Sequence, residues 1–197
     1  ASLDNAWDAP IKVIPTIHPA AIMRQWELRA VALNDLRRAK RHMLTREYDN
    51  LPTWRVIVRP SLAQVTQSIG QIKWLLGQGP TWLDFDIETA SNHIDSIGIS
   101  WSKSDAICIP FMSRNSHQGY WGAAEEGEIV FLLYQILTHP NARVRWQNGL
   151  YDAQYIFRHF HFIPRGAQDT MITQHSLFAA LPKGLGFLGS MYADWYV

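Results

Sequence analysis

Three acidic side chains at alternate positions mark the stretch of this chain that is best suited to chemistry. They are Asp84, Asp86 and Glu88, set in the otherwise apolar segment 82–89. Side chains along a strand alternate between its two faces, so the acids would share one face and the intervening apolar residues the other. Ionised carboxylates are costly to bury unless a cation neutralises them, and divalent metals with oxygen ligands do this well. The pattern favours a metal-binding strand over a strand at a solvated sheet edge with its acids in water.

A second polar group follows about sixty residues later, in the segment 145–156. A short apolar strand, 144–146, is predicted to lead into a helix on which Asn148 and Asp152 are four residues apart, with Tyr151 beside them. Residues four apart lie on the same face of a helix. We therefore expect Asn148 and Asp152 to point in one direction, and the spacing allows Asp152 to meet the acids of the first segment.

Together the two segments resemble the first two motifs of the proofreading 3′-5′ exonuclease domain of family A DNA polymerases, within the wider ribonuclease-H-like exonuclease group. The residues that carry the resemblance are Asp86-x-Glu88 on a strand, Asn148-x-x-Tyr151-Asp152 opening a helix, and Gln168-Asp169-Thr170-Met171 opening a later helix. Asp-x-Glu alone is weak evidence, whereas the motifs and their spacing together are specific. The similarity covers roughly residues 54–197. It implies an α/β fold with a mixed β-sheet flanked by helices.

The resemblance also implies roles for individual residues in a two-metal hydrolysis of phosphodiester bonds with Mg²⁺ or Mn²⁺. Asp86 would bridge the two ions, Glu88 would be a ligand and the partner of the attacking water, and Asp152 would be a further ligand. These three are the implied catalytic and metal residues. The residues expected to bind the substrate are Thr89, Gln147, Asn148, Tyr151 and Lys183.

Three other polar residues are predicted to stand outside this ligand set. Asp84 shares the strand face, but at a position where the family more often has an apolar residue, so we expect it near the site without being a ligand. His175 lacks the Asp five residues later that one exonuclease branch requires, which favours an ordinary helix residue. Asp169 is predicted to cap the helix that it opens.

The family pattern includes a third motif, Tyr-x-x-x-Asp, that is not found here. After Asp152 the only acids are Asp169 and Asp194, and the positions four residues before them are Arg165 and Ser190. We expect the fourth carboxylate to lie beyond Val197. Because ligand charge sets the affinity for hard cations, this form should bind at most one metal tightly and be weakly active or inactive alone.

The elements that must position these residues can be predicted from periodicity and turn signals. A strand is expected at 54–58, a helix at 62–76, an antiparallel strand pair at 93–102 and 105–111, and a helix opened by Glu125, Glu126 and Glu128 that ends near 138. The acids of that last helix suit its N-terminus and are interpreted as structural. Two further helices are expected at 169–179 and 187–195. This order fits a mixed sheet flanked by helices.

The first 46 residues have a different character. A strand is predicted at 11–15 and a single helix at 20–43, whose apolar stripe is Ile22, Trp26, Leu33, Leu36, Ala39 and Met43. Segment 14–24 resembles the last motif and C-terminal helix of uracil-DNA-glycosylase-like domains; the alternative is that His18 is only a strand-end residue beside a proline. We predict residues 1–46 to be the C-terminal remnant of such a domain, or an N-terminal extension, 47–53 to be a linker, and 54–197 to be an incomplete exonuclease domain. No glycosylase activity is implied, because the first motif of that family is absent.

Composition narrows the class of protein further. The chain has 197 residues, of which 47% are hydrophobic, and a single cysteine, which excludes a disulfide framework and a cysteine zinc site. Residues 1–60 hold ten Lys and Arg against six Asp and Glu, whereas residues 61–197 hold eight against eleven. The acidic half needs cations to act on a polyanion. No apolar run approaches the ~18 residues of a membrane span, so we expect no membrane partner and a cytoplasmic location, in the bacterial host if the chain is phage-derived.

Three functional hypotheses follow. The leading one is the exonuclease domain of a phage-like family A polymerase, acting on single-stranded DNA 3′ ends with a polymerase domain of the same polypeptide as its partner. The first alternative is a 3′-5′ exoribonuclease of the related RNA-trimming group, which labelled DNA and RNA would distinguish. The second is a non-catalytic nucleic-acid-binding or structural module, which would bind oligonucleotides without cleaving them.

Overall fold

The computed structural model describes residues 13–44, 53–113 and 119–193. The chain divides into a larger compact unit, residues 52–177, and a smaller one made of residues 1–51 and 178–197. The helices are α1 (Pro19–Arg24), α2 (Arg29–His42), α3 (Leu62–Gln78), α4 (Ala123–Leu137), α5 (Gly149–Phe160), α6 (Thr170–Leu177) and α7 (Leu185–Tyr192). The strands are β1 (Arg55–Val58), β2 (Thr81–Ala90), β3 (His93–Ser100), β4 (Asp105–Pro110), β5 (Ala142–Trp146) and β6 (Gly166–Asp169).

The larger unit is built on one six-stranded mixed sheet in the order β1-β4-β3-β2-β5-β6. β2 pairs antiparallel with β3 and parallel with β5, so the acidic strand lies inside the sheet. The pair β3–β4 is antiparallel, as predicted, while β1–β4 and β5–β6 are parallel. The predicted mixed sheet with flanking helices is therefore confirmed, and the alternative of a solvated edge strand is wrong.

The alternation predicted for β2 decides where the core lies. Leu83, Phe85 and Ile87 are 0%, 3% and 6% exposed, whereas Asp86 and Glu88 are exposed. The apolar faces of α3 and α4 complete the same core with residues at helical spacing, namely Val65, Ile69, Ile72, Leu76, Ile129, Leu133, Ile136 and Leu137. Burial of each such side chain contributes about 1.5–3 kcal/mol to folding. This packing fixes β2 against the helices and leaves its acids on the open side.

Helix termini in the larger unit agree with the predicted signals in most places. Ser61 caps α3 through a hydrogen bond with the backbone N–H of Gln64, at 3.4 Å. The Glu125 carboxylate accepts the Gly122 N–H at 3.1 Å, so this acid of the α4 run has a structural role. The helix α6 ends at Leu177, two residues earlier than predicted, and His175 is an exposed residue on it.

The smaller unit departs from the prediction. Residues 13–15 lie in no strand, while 11–12 lie outside the described residues. The single helix predicted for 20–43 is wrong, because Gln25 has an extended backbone (φ −135°, ψ 91°) that separates α1 from a short 3₁₀ turn and α2. The predicted apolar stripe is also wrong for most of its length, since Trp26, Leu36 and Met43 are exposed.

His18 caps α1 through its Nδ1 atom, which accepts the Ala20 N–H at 3.2 Å; this is a structural role beside Pro19, although residues 13–17 before it form no strand. Most of the predicted linker, 47–52, lies outside the described residues, and the glycosylase-like origin of the first 46 residues stays a prediction. Within the described ranges, no helix is long and apolar enough to cross a membrane.

Candidate active site

The register between β2 and β5 explains why the candidate acids lie at one edge of the sheet. Asp84 is opposite Arg145 in this parallel pair, and β5 ends one residue later at Trp146. Asp86 and Glu88 therefore lie on the part of β2 that extends beyond the end of β5. The chain turns into α5 at that same edge. This register brings Asp86 and Glu88 of β2 to the same edge as Asp152 of α5. The pairing of β2 with β3 is regular up to Glu88.

Asp152 is the buried member of the acidic group. It is 3% exposed, and its Oδ1 accepts the backbone N–H of Ile87 at 3.0 Å. Burial, followed by the negative charge of Asp86, raises the pKa of Asp152 to about 6. Partial desolvation of its carboxylate, followed by the charge of Glu88, also raises the pKa of Asp86, although the residue as a whole is exposed. The three predicted ligands are thus electrostatically coupled, which is the condition that a bound cation relieves.

These carboxylates fit a hard divalent cation in chemistry, but they do not converge into a finished ligand set. Across residues 13–44, 53–113 and 119–193, no three His, Cys, Asp or Glu side chains form a group that could hold a metal ion. The Oδ1 atom of Asp152 is engaged by the backbone N–H of Ile87. The assignment of Asp86, Glu88 and Asp152 as metal ligands remains a prediction.

Thr89 and Tyr151, predicted to bind substrate, contact each other. A bulge in the β2–β3 pairing falls between Glu88 and Thr89, and such bulges redirect the side chain that follows. The Thr89 Oγ1 and Tyr151 hydroxyl share a hydrogen bond of 2.6 Å. Tyr151 is 41% exposed, so part of its ring is available to a base. Strand and helix are tied together beside the carboxylates by two of the expected substrate residues.

Asn148 is not on the helix face that the sequence predicted. Its backbone is left-handed (φ 59°, ψ 43°) and α5 begins at Gly149, so the argument from four-residue spacing to Asp152 is wrong. An Asn tolerates this conformation better than most residues because its short side chain can bond locally. Asn148 is exposed, while the half-buried Gln147 accepts a hydrogen bond from the Thr170 hydroxyl through its Oε1. Their predicted substrate contacts remain predictions.

Asp169 has the structural role that the sequence predicted, and more contacts than a cap requires. Its carboxylate accepts the backbone N–H groups of Met171 and Ile172 at 2.8 and 3.2 Å, which caps α6. It also accepts those of Asn148 and Gly149, at 3.2 and 2.8 Å. One carboxylate therefore satisfies backbone donors at the starts of two helices. With four donors already bound, Asp169 is a poor candidate for the missing metal ligand.

Two glycines set the position of the β5 end. A Cβ atom on Gly149 or on Gly166 would lie 2.1 Å from the ring of Trp146, closer than real atoms approach. The Trp146 ring is thus packed against the backbones of the α5 start and of β6. Only glycine permits this approach at both places, and the packing holds the loop that carries Gln147 and Asn148.

Two predicted neighbours of the site have other partners. Asp84 accepts two hydrogen bonds from Arg145, at 2.5 and 3.0 Å, which agrees with its predicted exclusion from the ligand set. Lys183 belongs to the smaller unit, where its Nζ donates to the carbonyl oxygens of Ala179 and Leu181 at 2.8 and 3.2 Å. A role for Lys183 at a substrate phosphate stays a prediction.

Sequence reasoning missed a cluster around the β2–β3 turn. Ser91 and Asn92 both have positive φ angles (48° and 68°), the two-residue geometry that Asn readily adopts. The Asn92 Oδ1 accepts hydrogen bonds from the Tyr155 hydroxyl at 3.1 Å and from Arg158 at 3.3 Å. Tyr155 also lies against Tyr151, with ring centroids 4.8 Å apart. The sequence did contain one signal for this cluster: Tyr151 and Tyr155 are four residues apart, a spacing that places them on one face of a helix.

This chain is similar to known proteins in its structure and not in its sequence. No protein-family model matches the chain, and no curated protein sequence matches it. The catalytic core of RRP6 from Trypanosoma brucei superposes with a TM-score of 0.55 at 13% identity, over 76% of this chain and 38% of that one. This chain has the ribonuclease-H-like exonuclease fold. A nuclease in its apo form gives a TM-score of 0.50 at 14% identity, over 75% and 63% of the two chains.

A third solved structure, RNase D of Escherichia coli, gives a TM-score of 0.49 at 14% identity, over 74% of this chain and 35% of that one. The chain therefore spans between about a third and just under two thirds of the length of these structures. At such identities the likeness establishes the fold alone.

Proposed function

We propose that the larger unit is a divalent-metal-dependent 3′-5′ exonuclease that hydrolyses phosphodiester bonds at the ends of single strands. The observation that carries this proposal is the meeting of Asp86 from β2 with the buried Asp152 from α5 at one sheet edge, within an exonuclease fold. The core is built from apolar residues and does not require a pair of repelling carboxylates beside it. They suit a site that binds cations and a polyanionic substrate.

Each residue of the site would have its own role in the reaction. Mg²⁺ or Mn²⁺ held by Asp86, Glu88 and Asp152 would supply an activated water and stabilise charge on the leaving oxygen. Glu88, which is exposed on the same strand as Asp86, would accept a proton from the attacking water. Tyr151 and Thr89 would hold the terminal nucleotide, the ring by stacking and the hydroxyl groups by hydrogen bonds. Asn148 and Gln147 border the same edge and would contribute further contacts.

Single-stranded DNA is the first candidate substrate. The resemblance of Asp86-x-Glu88 and Asn148-x-x-Tyr151-Asp152 to the proofreading motifs of family A polymerases supports it. In that case the partner would be a polymerase domain of the same polypeptide. The 3′ end would reach this site as a frayed single strand.

RNA is the second candidate substrate. The fold shared with the RRP6 core and the apo nuclease does not by itself select DNA over RNA. The enzyme class, 3′-5′ exonuclease, is common to both proposals. What differs is whether the site accepts a ribose 2′-hydroxyl beside Thr89 and Tyr151.

The experiment that tests this proposal compares matched DNA and RNA 20-mers of one sequence, labelled at the 5′ end, with Mg²⁺, Mn²⁺ or EDTA. An exonuclease of this polarity yields a ladder shortened one nucleotide at a time from the 3′ end. A 3′-phosphorothioate linkage should slow the first step, and EDTA should abolish the ladder. Preference for one sugar decides between the two substrates. Binding of both oligonucleotides without cleavage under any metal would instead favour a non-catalytic module.

A further inference from the structure

The outer side of α2 in the smaller unit carries an unexplained concentration of positive charge. Residues 13–44 contain six Arg and Lys against two acids, Glu27 and Asp35. Arg29, Arg37 and Lys40 are all exposed and lie on one side of α2, and we call these three residues the basic face. The acid Asp35 is buried on the other side, at 5% exposure.

The opposite side of α2 packs against α7, so the two sides of the helix have different surroundings. Asn34 Nδ2 donates to the carbonyl oxygens of Ser190 and Met191, at 3.2 and 3.0 Å, at the end of α7. Arg38 donates to the Ala193 carbonyl oxygen at 2.8 Å. These residues share a helix side with the buried Val31, three and seven positions away. The helix thus directs one side into its own unit and the basic face outward.

The stability of the helix does not account for the basic face. None of its three residues forms an ion pair within the described ranges. Arg37 and Lys40 are three apart, a spacing at which like charges destabilise a helix. Lys40 lies in the last turn, where the helix dipole favours a cation, but Arg29 is the first residue of α2, where the dipole disfavours one.

An exposed aromatic ring adjoins the basic face. Trp26, in the 3₁₀ turn before α2, is 67% exposed, and the Arg29 guanidinium lies 4.9 Å from its ring centroid. Leaving a Trp side chain exposed to this extent forgoes the favourable hydrophobic free energy of burying it. Cations beside an exposed ring are the pairing that binds phosphates and stacks bases.

We propose that the basic face and Trp26 bind single-stranded nucleic acid, with phosphates on Arg29, Arg37 and Lys40 and a base stacked on Trp26. Charge complementarity selects the partner, because a polyanion removes the repulsion between these cations. An anionic membrane fits less well: the exposed Leu33 and Leu36 alternate with the cations and form no continuous apolar face. The proposal is independent of nuclease activity, since it needs neither the carboxylates nor a metal.

The test is fluorescence anisotropy of a labelled 30-nucleotide single strand with the full chain in EDTA, repeated over a range of salt concentrations. The triple variant Arg29→Gln/Arg37→Gln/Lys40→Gln should lower affinity at least about tenfold at low salt. The slope of log affinity against log salt should fall by about 2, from roughly 0.7 for each lost phosphate contact. The variant Trp26→Ala should weaken binding with little change in slope. Replacing Arg29 and Arg37 by Lys should retain the slope.

The matched control removes the same net charge from the larger unit, with Lys73→Gln/Lys103→Gln/Arg165→Gln, and should leave the slope nearly unchanged. An equal loss in the control would overturn the proposal, because general charge would then explain the binding. A triple variant with the wild-type affinity and slope would do the same. So would a wild-type chain that binds phosphatidylserine vesicles but not the oligonucleotide. Failure to cleave in Mg²⁺ leaves all of these results unaffected.

Discussion

Asp152 is the residue whose ionisation most affects the site. A buried carboxylate beside another acid is disfavoured in its charged form, and its pKa of about 6 lies above the value near 4 of an exposed Asp. In the metal-free protein, ionisation of Asp152 therefore lowers the stability of the folded state. Below about pH 4 Asp152 is protonated in both folded and unfolded chains and imposes no penalty. As pH rises from about 4 through 6, the folded state loses stability.

Replacement of Asp152 by Asn should remove this loss. The amide Oδ1 can still accept the Ile87 N–H, while the charge is gone. In EDTA at pH 7 we expect Asp152→Asn to be more stable than wild type by up to about 3 kcal/mol, the equivalent of a two-unit pKa shift. Urea unfolding between pH 4 and 7.5 measures this. Parallel pH profiles for the two proteins would contradict the assignment.

Asp105 provides a control of opposite sign. Hydrogen bonds from Arg55 and Ser102 lower the pKa of this carboxyl, whose side chain is 13% exposed. Its contribution is present above its unfolded pKa and is lost as pH falls. Asp105→Asn should therefore weaken the fold slightly at neutral pH, and this difference should vanish in acid.

At the scale of the element, the close packing of Trp146 gives a sharp prediction. Gly149→Ala or Gly166→Ala would place a methyl group 2.1 Å from the ring, so the ring or the backbone must shift. We expect each change to cost about 1–3 kcal/mol of unfolding free energy, as overpacked interiors do. Gly127→Ala in α4 is the matched control, because no atom lies within 4 Å of the added methyl. Chemical denaturation that shows equal effects at all three positions would refute this role for Trp146.

The carboxylate of Asp169 joins two elements, and its loss should affect stability before chemistry. An Asn at this position has only one oxygen that can accept hydrogen bonds. Its NH₂ group would face a backbone N–H such as that of Gly149, and two donors cannot bond to each other. Asp169→Asn should cost about 1–3 kcal/mol, the penalty of unsatisfied buried donors. Far from the melting temperature it should retain most nuclease activity. Complete loss of activity with unchanged stability would identify Asp169 as a ligand instead of a cap.

The elements that sequence predicted well are those whose information is local. Alternation in β2 and the helical spacing of α3 follow from side-chain periodicity, so their bounds were predicted closely. The break at Gln25 was not predictable in this way, because the segment keeps helical periodicity on both sides of it. The orientation of α2 depends on carbonyl groups about 150 residues away, at Ser190 and Ala193. Contacts at such separation leave no mark in the local pattern.

At the scale of the whole molecule, the identities of the candidate acids could be read from sequence, but their arrangement could not. The alternation of acids on β2 indicated the strand, and the resemblance to the family motifs selected Asp86 and Glu88 over Asp84. Their approach to Asp152 depends on the β2–β5 register, and the left-handed Asn148 depends on the donors gathered by Asp169.

Metal should stabilise the folded chain if the acids bind it. A ligand that binds only the folded state raises stability by mass action, and cations relieve the repulsion between Asp86 and Asp152. We expect millimolar Mn²⁺ or Mg²⁺ to raise the melting temperature by a few degrees at pH 7.5. At pH 5 the shift should shrink, because protonation of Asp152 competes with the metal. A melting temperature that does not change when metal is added at pH 7.5 would count against the site.

The most direct test of the candidate active site is the rate at which the chain removes the 3′-terminal nucleotide from a single strand in Mn²⁺, measured for wild type, Asp86→Ala and Asp152→Asn. All three proteins should be folded by circular dichroism, with the two variants at least as stable as wild type in EDTA. We predict a metal-dependent rate for wild type, slow if further ligands are needed, and a rate at least about a hundredfold lower in both variants. Cleavage by either variant at the wild-type rate would show that the acids of β2 and α5 are not the site.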